Sequence, residues 1–110
     1  MIDKYEQVAI RLSRIEVELR RLAFWESEAP PGELLASALP FCHDTLNFTQ
    51  WLQFVFLVRM TETVETGASL PNECGIAPYA DEYFKGISEE TAELRELLAQ
   101  IDAILTNAAY

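Results

Sequence analysis

The sequence predicts an all-α protein: a small helical bundle of three long helices and one or two short ones around a buried central helix at about residues 44–66. Three observations predict it. Half of the 110 residues are apolar, while only four glycines and five prolines are present, which leaves little room for a turn-rich β architecture. Apolar residues near both ends of the chain recur at steps of three and four, the spacing that lines one face of a helix. Between them, apolar residues surround the axis of a third helix, which marks it as buried. One domain spanning 1–110 is expected at this length. A chain this size should bury roughly 65% of the surface its unfolded form exposes, enough for a core without staples.

Residues 3–24 form the first predicted helix. Asp3 is placed to cap it, with Glu6 three residues on as the box partner. Tyr5, Val8, Leu12, Ile15, Leu19 and Leu22 make its apolar stripe. Pro30, Pro31 and Gly32 prevent continuation. "ELLASAL" (33–39) allows about two helical turns before Pro40, which disfavours helix at Leu39. The central helix then begins near Asp44, whose carboxylate is suited to accept orphan N–H groups at its start. It runs to Thr66, with Gly67 placed to end it in a left-handed cap. "GASLPNECGIAP" is a loop of turn formers, and Pro78 suits the first position of a short helix ending before Gly86. Ser88 is the expected cap of the last helix, with Glu89 and Glu90 near its positive end. Leu94, Leu97, Leu98, Ile101, Ile104 and Leu105 form its stripe.

Charge limits the choice of function. Eighteen acids against eight lysines and arginines give a net charge of −10, which opposes sequence-independent binding to a phosphate backbone. Arg11, Arg14 and Arg21 share a helical stripe, but Glu18 lies among them at pairing distance, so the stripe reads as a solvated face and no direct nucleic-acid contact is expected. The N-terminus lacks the apolar segment of a signal peptide. The longest apolar stretch is interrupted by Asn47, Thr49, Gln50 and Gln53 and falls short of the ~20 apolar residues a membrane span needs. A cytoplasmic protein with Cys42 and Cys74 reduced is the expectation.

The residues with chemical potential have structural explanations. Cys42, His43 and Asp44 are consecutive, and neighbours rarely present a nucleophile and a base to each other within hydrogen-bond reach. Structural zinc wants four Cys or His ligands, usually as two close pairs. Here Cys42 and His43 are adjacent, Cys74 is remote, and no fourth soft ligand exists, so no metal is expected. Glu62 with Glu65, and Asp81 with Glu82, read as solvated acids. No glycine-rich phosphate loop, nucleophile elbow or HExxH motif is present. No catalytic residue and no cofactor are therefore assigned.

Arg59 is the only cation between positions 21 and 85. It suggests an internal strut paired with Glu62, Asp81 or Glu82; the alternative is an anchor for a partner's carboxylate, to which its planar fork is suited. Asn47, Gln50 and Gln53 recur every three residues, either meeting water or forming a network between helices. Trp25, Phe41 and Trp51 are core candidates, and any that reaches the surface would mark a binding patch. Trp25, Phe41, Trp51, Gln53 and Arg59 thus make up the candidate partner or ligand patch.

The stretches "FWESEAPPGELLASALPFCHDTLNFTQWLQFVFLVRM" and "LPNECGIAPYADEYF" resemble the YqcC-like family of small bacterial proteins. The likeness is most specific at Pro40-Phe41, Asp44-Thr45, Trp51-Leu52-Gln53, Arg59-Met60, Leu70-Pro71 and Pro78. It implies a helical bundle with no established activity, and an association with tRNA pseudouridine synthases, beside which members are often encoded. Many members carry proline before the Arg-Met pair, where this chain has Val58, so a family kink is in doubt here. Together these readings favour a non-enzymatic protein that binds another protein or a second copy of itself. The rival is a small-molecule binder or enzyme with an inter-helix pocket near Trp51, Gln53 and Arg59. A flat aromatic patch favours the first, and an aromatic pocket with a convergent arginine the second.

Overall fold

In the computed structural model, which describes residues 3–37, 39–42, 44–71, 75–87 and 90–106, all regular structure is helical. Helix α1 spans Lys4–Arg21. The Asp3 carboxylate accepts the Glu6 N–H at 2.9 Å, the cap the sequence calls for. Val8, Leu12, Ile15 and Leu19 are buried along its stripe, and Arg20 and Arg21 occupy the last turn, where cations suit the negative end. The helix ends at Arg21 rather than at 24, because Ala23 turns the chain at φ 63°. A single turn, α2 (Gly32–Leu35), follows. Residues Pro40–Cys42 then form a tight turn in which Phe41 has φ 57° and ψ 17°.

The central helix, α3, occupies residues 48–66. Its first turn, Phe48–Trp51, is α-helical; Leu52–Phe56 is a π turn; Leu57–Thr66 is α-helical again and ends on Gly67 at φ 70°. Gly67 is therefore the left-handed cap expected of it. The start differs. Asp44 is not the cap: Asn47 is, and its own N–H donates to Gln50 Oε1 at 2.9 Å, as in a capping box. A separate turn precedes it, in which the Thr45 and Leu46 N–H groups donate to the Cys42 carbonyl. Asp44 instead accepts the Ser37 hydroxyl. Two capping residues stood three positions apart, and this separate turn left the helix to the second.

Helix α4 (Ile76–Tyr83) starts two residues before Pro78, which still falls in the first turn, where a missing N–H breaks no helical bond. Its cap comes from another helix. The Asp102 carboxylate accepts the Ile76 N–H at 3.1 Å and the Ala77 N–H at 2.7 Å. Helix α5 (Ala92–Thr106) carries six buried aliphatic residues on its expected stripe, and packs on α1 and on α4. The expected cap, Ser88, and Glu89 beside it lie outside the described residues; Glu90, expected near the positive end, accepts the Ala92 N–H at 2.8 Å.

Helix α1 also packs on the last part of α3. Burial around α3 is uneven. Phe48, Leu52, Phe56, Leu57 and Met60 join the main core, and Val55 joins a small cluster with Cys42 and Leu46. On the other side Val58 is 55% exposed and Arg59 is exposed beside it. The polar stripe Asn47, Gln50, Gln53 runs from surface to interior: Asn47 is exposed, Gln50 is half-buried and Gln53 is buried. Gln53 accepts the Glu26 N–H at 2.9 Å and donates to the Glu26 carbonyl at 2.8 Å. It thereby holds the loop after α1 against α3.

Candidate functional site

Three of the five patch residues meet around one groove, and two do not. Phe41, Trp51 and Arg59 line a groove of about 590 Å³ with Val55, Phe56, Met60, Thr63, Ser69, Leu70 and Pro71. Trp25 lies elsewhere, under the Arg20 guanidinium at 4.4 Å. With Gln53 it borders a second groove, of about 600 Å³, rimmed by Glu16, Glu62 and Glu65. Gln53 is committed to the Glu26 backbone, so its role is to hold a loop.

The groove is built from rings that fix one another. Phe41 meets Trp51 edge-on at 4.8 Å and Tyr79 at 4.4 Å. Trp51 in turn stacks on Phe48 at 6.1 Å and on Phe56 at 5.5 Å. Pairs of this kind contribute about 0.5–1.5 kcal/mol each beyond burial. That packing holds an unfavourable backbone. Phe41 and Cys42 have φ of 57° and 50°, and a left-handed conformation costs a residue with a Cβ roughly 1–2 kcal/mol. Strain of this sort persists only where the surroundings over-determine it, and it clusters at ligand clamps. The π turn in α3 lies directly along the same groove, and such turns are frequent at functional sites.

The opposite wall, Ser69 to Pro71, follows the Gly67 cap. Tyr5 secures it from α1, its hydroxyl donating to the Ala68 carbonyl at 2.6 Å. Tyr5 reads in the sequence as a stripe residue only, and Tyr79 carries no signal there; both support the groove through contacts across more than 35 positions.

Arg59 is not the internal strut. It is exposed, and among the described residues it forms no ion pair with Glu62, Asp81 or Glu82. Glu62 faces the second groove, while Asp81 approaches Arg95 at 3.9 Å. The reason is topological: α4 packs on α5, so its acids meet the arginine of that helix. Arg11 and Arg21, by contrast, are engaged. Arg11 donates to Gln100 at 2.9 Å. Arg21 bonds Glu18 at 2.7 Å and the Glu90 carbonyl at 2.9 Å, and the Glu18 hydrogen bond raises its pKa above the usual arginine value.

Cys42 is buried, with its thiol directed at the Leu35 carbonyl at 3.8 Å. His43 and Cys74, the other residues weighed as metal ligands, lie outside the described residues. Among the described residues, no helix is long and apolar enough to cross a membrane.

Comparison with known proteins agrees with the resemblance. The chain is 35% identical over 98 residues to an uncharacterised protein of Haemophilus influenzae, across 89% of each chain. It is 27% identical over 105 residues to the uncharacterised protein YqcC of Escherichia coli, across 96% of each. The solution NMR structure of E. coli YqcC matches with a TM-score of 0.84 at 26% identity, covering 99% of this chain and 93% of that one. A 70-residue part, 64% of this chain, is 37% identical to a region making up 19% of a tRNA pseudouridine synthase C from Pectobacterium carotovorum. The family model described as tRNA pseudouridine synthase C (DUF446) matches residues 7–104. The chain therefore belongs to this YqcC-like family.

Proposed function

We propose that this chain is a non-enzymatic binding protein that assists a tRNA-modifying enzyme in the cytoplasm, with the Phe41–Trp51–Arg59 groove as its contact surface. One observation carries the reading: the groove is an open, largely apolar surface in which, among the described residues, Arg59 is the only ionisable lining residue. Proton-transfer chemistry needs a group that titrates near neutral pH, and an arginine does not. Recognition needs apolar anchors held in place and a polar group at the rim, which the lining supplies.

The partner class comes from the family. A region similar to this chain occupies 19% of a protein named tRNA pseudouridine synthase C. Covalent attachment raises the effective concentration of one module beside another, and a separate chain gains the same proximity by binding. A second reading, capture of a small amphipathic carboxylate, is favoured by the aromatic lining with one convergent arginine.

Mixing the purified chain with purified tRNA pseudouridine synthase C from its host, and following sedimentation velocity, tests the first reading. A complex is expected, with Trp51→Ala weakening it at least about tenfold, as for a central aromatic anchor. Absence of any complex at concentrations of ~100 μM, a Kd too weak for a specific partner, overturns it.

A further inference from the structure

We infer that the groove takes a short segment of its protein partner in which a bulky apolar side chain stands next to a carboxylate. The carboxylate meets Arg59, and the apolar side chain enters between Phe41, Trp51 and Leu70. The inference rests on the binding-protein reading and goes beyond it by naming what is recognised.

Charge complementarity is the first argument. The chain carries eighteen acids, yet among the described residues this groove has none in its lining and one cation. The nearest acid in sequence, Glu62, borders the other groove, and no described acid pairs with the Arg59 guanidinium, which suits it to an incoming anion. A guanidinium matches a carboxylate with two parallel hydrogen bonds. The second argument is shape. Arg59, Ser69 and Pro71 along the rim are exposed, whereas Val55, Phe56 and Met60 at the floor are buried. A drug-sized ligand in its site buries most of its own surface; an open groove leaves the outer face of its occupant free, as the continuing backbone of a protein segment requires. The third is preorganisation. The rings around Phe41 and Trp51 are already packed, so little side-chain freedom is lost on binding.

Arg59 with two aromatic rings also suits a phosphate and a stacked base. A strand of RNA brings further phosphates into the field of a protein of net charge −10, where each is repelled. A segment with one carboxylate avoids that repulsion, so a protein segment is the occupant favoured.

The test uses the full chain and NMR. Three blocked hexapeptides share a central leucine-phenylalanine pair followed by aspartate, asparagine or lysine; octanoate and hexauridylate are the other probes. The two tryptophan indole N–H signals report separately, Trp51 on this groove and Trp25 as an internal control. The aspartate peptide should move the Trp51 and Arg59 signals while leaving Trp25 still, and bind at least about tenfold more tightly than the lysine peptide, a difference of 1.4 kcal/mol. Arg59→Gln should abolish that preference with the remaining spectrum unchanged, and Arg59→Lys should restore part of it.

Equal binding of the aspartate and lysine peptides overturns the inference, as does failure of all three to move Trp51. Tighter binding of hexauridylate assigns the groove to RNA, tighter binding of octanoate assigns it to a small molecule, and a Trp51 shift on dilution alone assigns it to a second copy; each of these overturns it too. Failure here is distinguishable from failure of the accessory role. A synthase complex that survives Arg59→Gln but not Trp51→Ala keeps the binding protein and removes the carboxylate. Selection for aspartate without a synthase complex does the reverse.

Discussion

The contact of α5 with α1 and the groove beside Arg59 are both apolar surfaces, but they are made differently. Leu94, Leu97, Leu98, Ile101, Ile104 and Leu105 are all at most 1% exposed, on a helix that follows its expected spacing throughout. Aliphatic side chains on regular backbone interdigitate and close the space between them. The groove is walled by rings on irregular backbone: a left-handed turn at Phe41 and Cys42, then a π turn at Leu52–Phe56. Phe41 and Trp51 are only half-buried. Rings braced edge-on or stacked against one another hold their positions without filling the volume beside them. The closed contact is made for stability and the open one keeps room for something else, at a cost in backbone strain.

Substitutions that act on one region and spare the other sharpen this contrast. The largest loss should come from Ile101→Ala, which deletes a fully buried side chain; truncations of this type cost ~2–5 kcal/mol through lost transfer energy and a residual cavity. Urea melts give the value, and a cost below ~1 kcal/mol would mean that the α1–α5 contact relaxes freely and is not the closed surface described.

A smaller effect isolates the strain at Phe41. Glycine and alanine both remove the ring, but only glycine adopts φ 57° without a Cβ clash. Phe41→Gly should therefore be more stable than Phe41→Ala by about 1 kcal/mol, reversing the usual order of the two residues within helices. Equal melting of both variants would show that the left-handed turn does not exist in solution.

The smallest effect belongs to Arg59. As an exposed side chain with no ion pair among the described residues, it should tolerate Arg59→Ala within about 0.5 kcal/mol in the same melts. A loss of several kcal/mol would return it to the role of a strut paired with a desolvated acid.

Periodicity and capping determined much of this protein without tertiary information. The α1 stripe from Val8 to Leu19, the α5 stripe from Leu94 to Leu105, the Asp3 cap and the Gly67 terminus were all legible, because each depends on residues within about four positions of one another or on one residue's own torsions. Trp51, Phe41 and Arg59 were legible as unusual residues, though their meeting around one groove was not. The tertiary structure alone decided four matters. Asn47 rather than Asp44 caps α3, because Thr45 and Leu46 first bond back to the Cys42 carbonyl. Asp102 caps α4 from 25 and 26 residues away. Phe41 sits in a left-handed turn that its type disfavours, because Trp51 and Tyr79 pack against it. Among the described residues, Arg59 has none of the acids expected of it, because α4 packs on α5. Each outcome depends on contacts between segments remote in sequence, and such contacts exist only after the helices have chosen their neighbours.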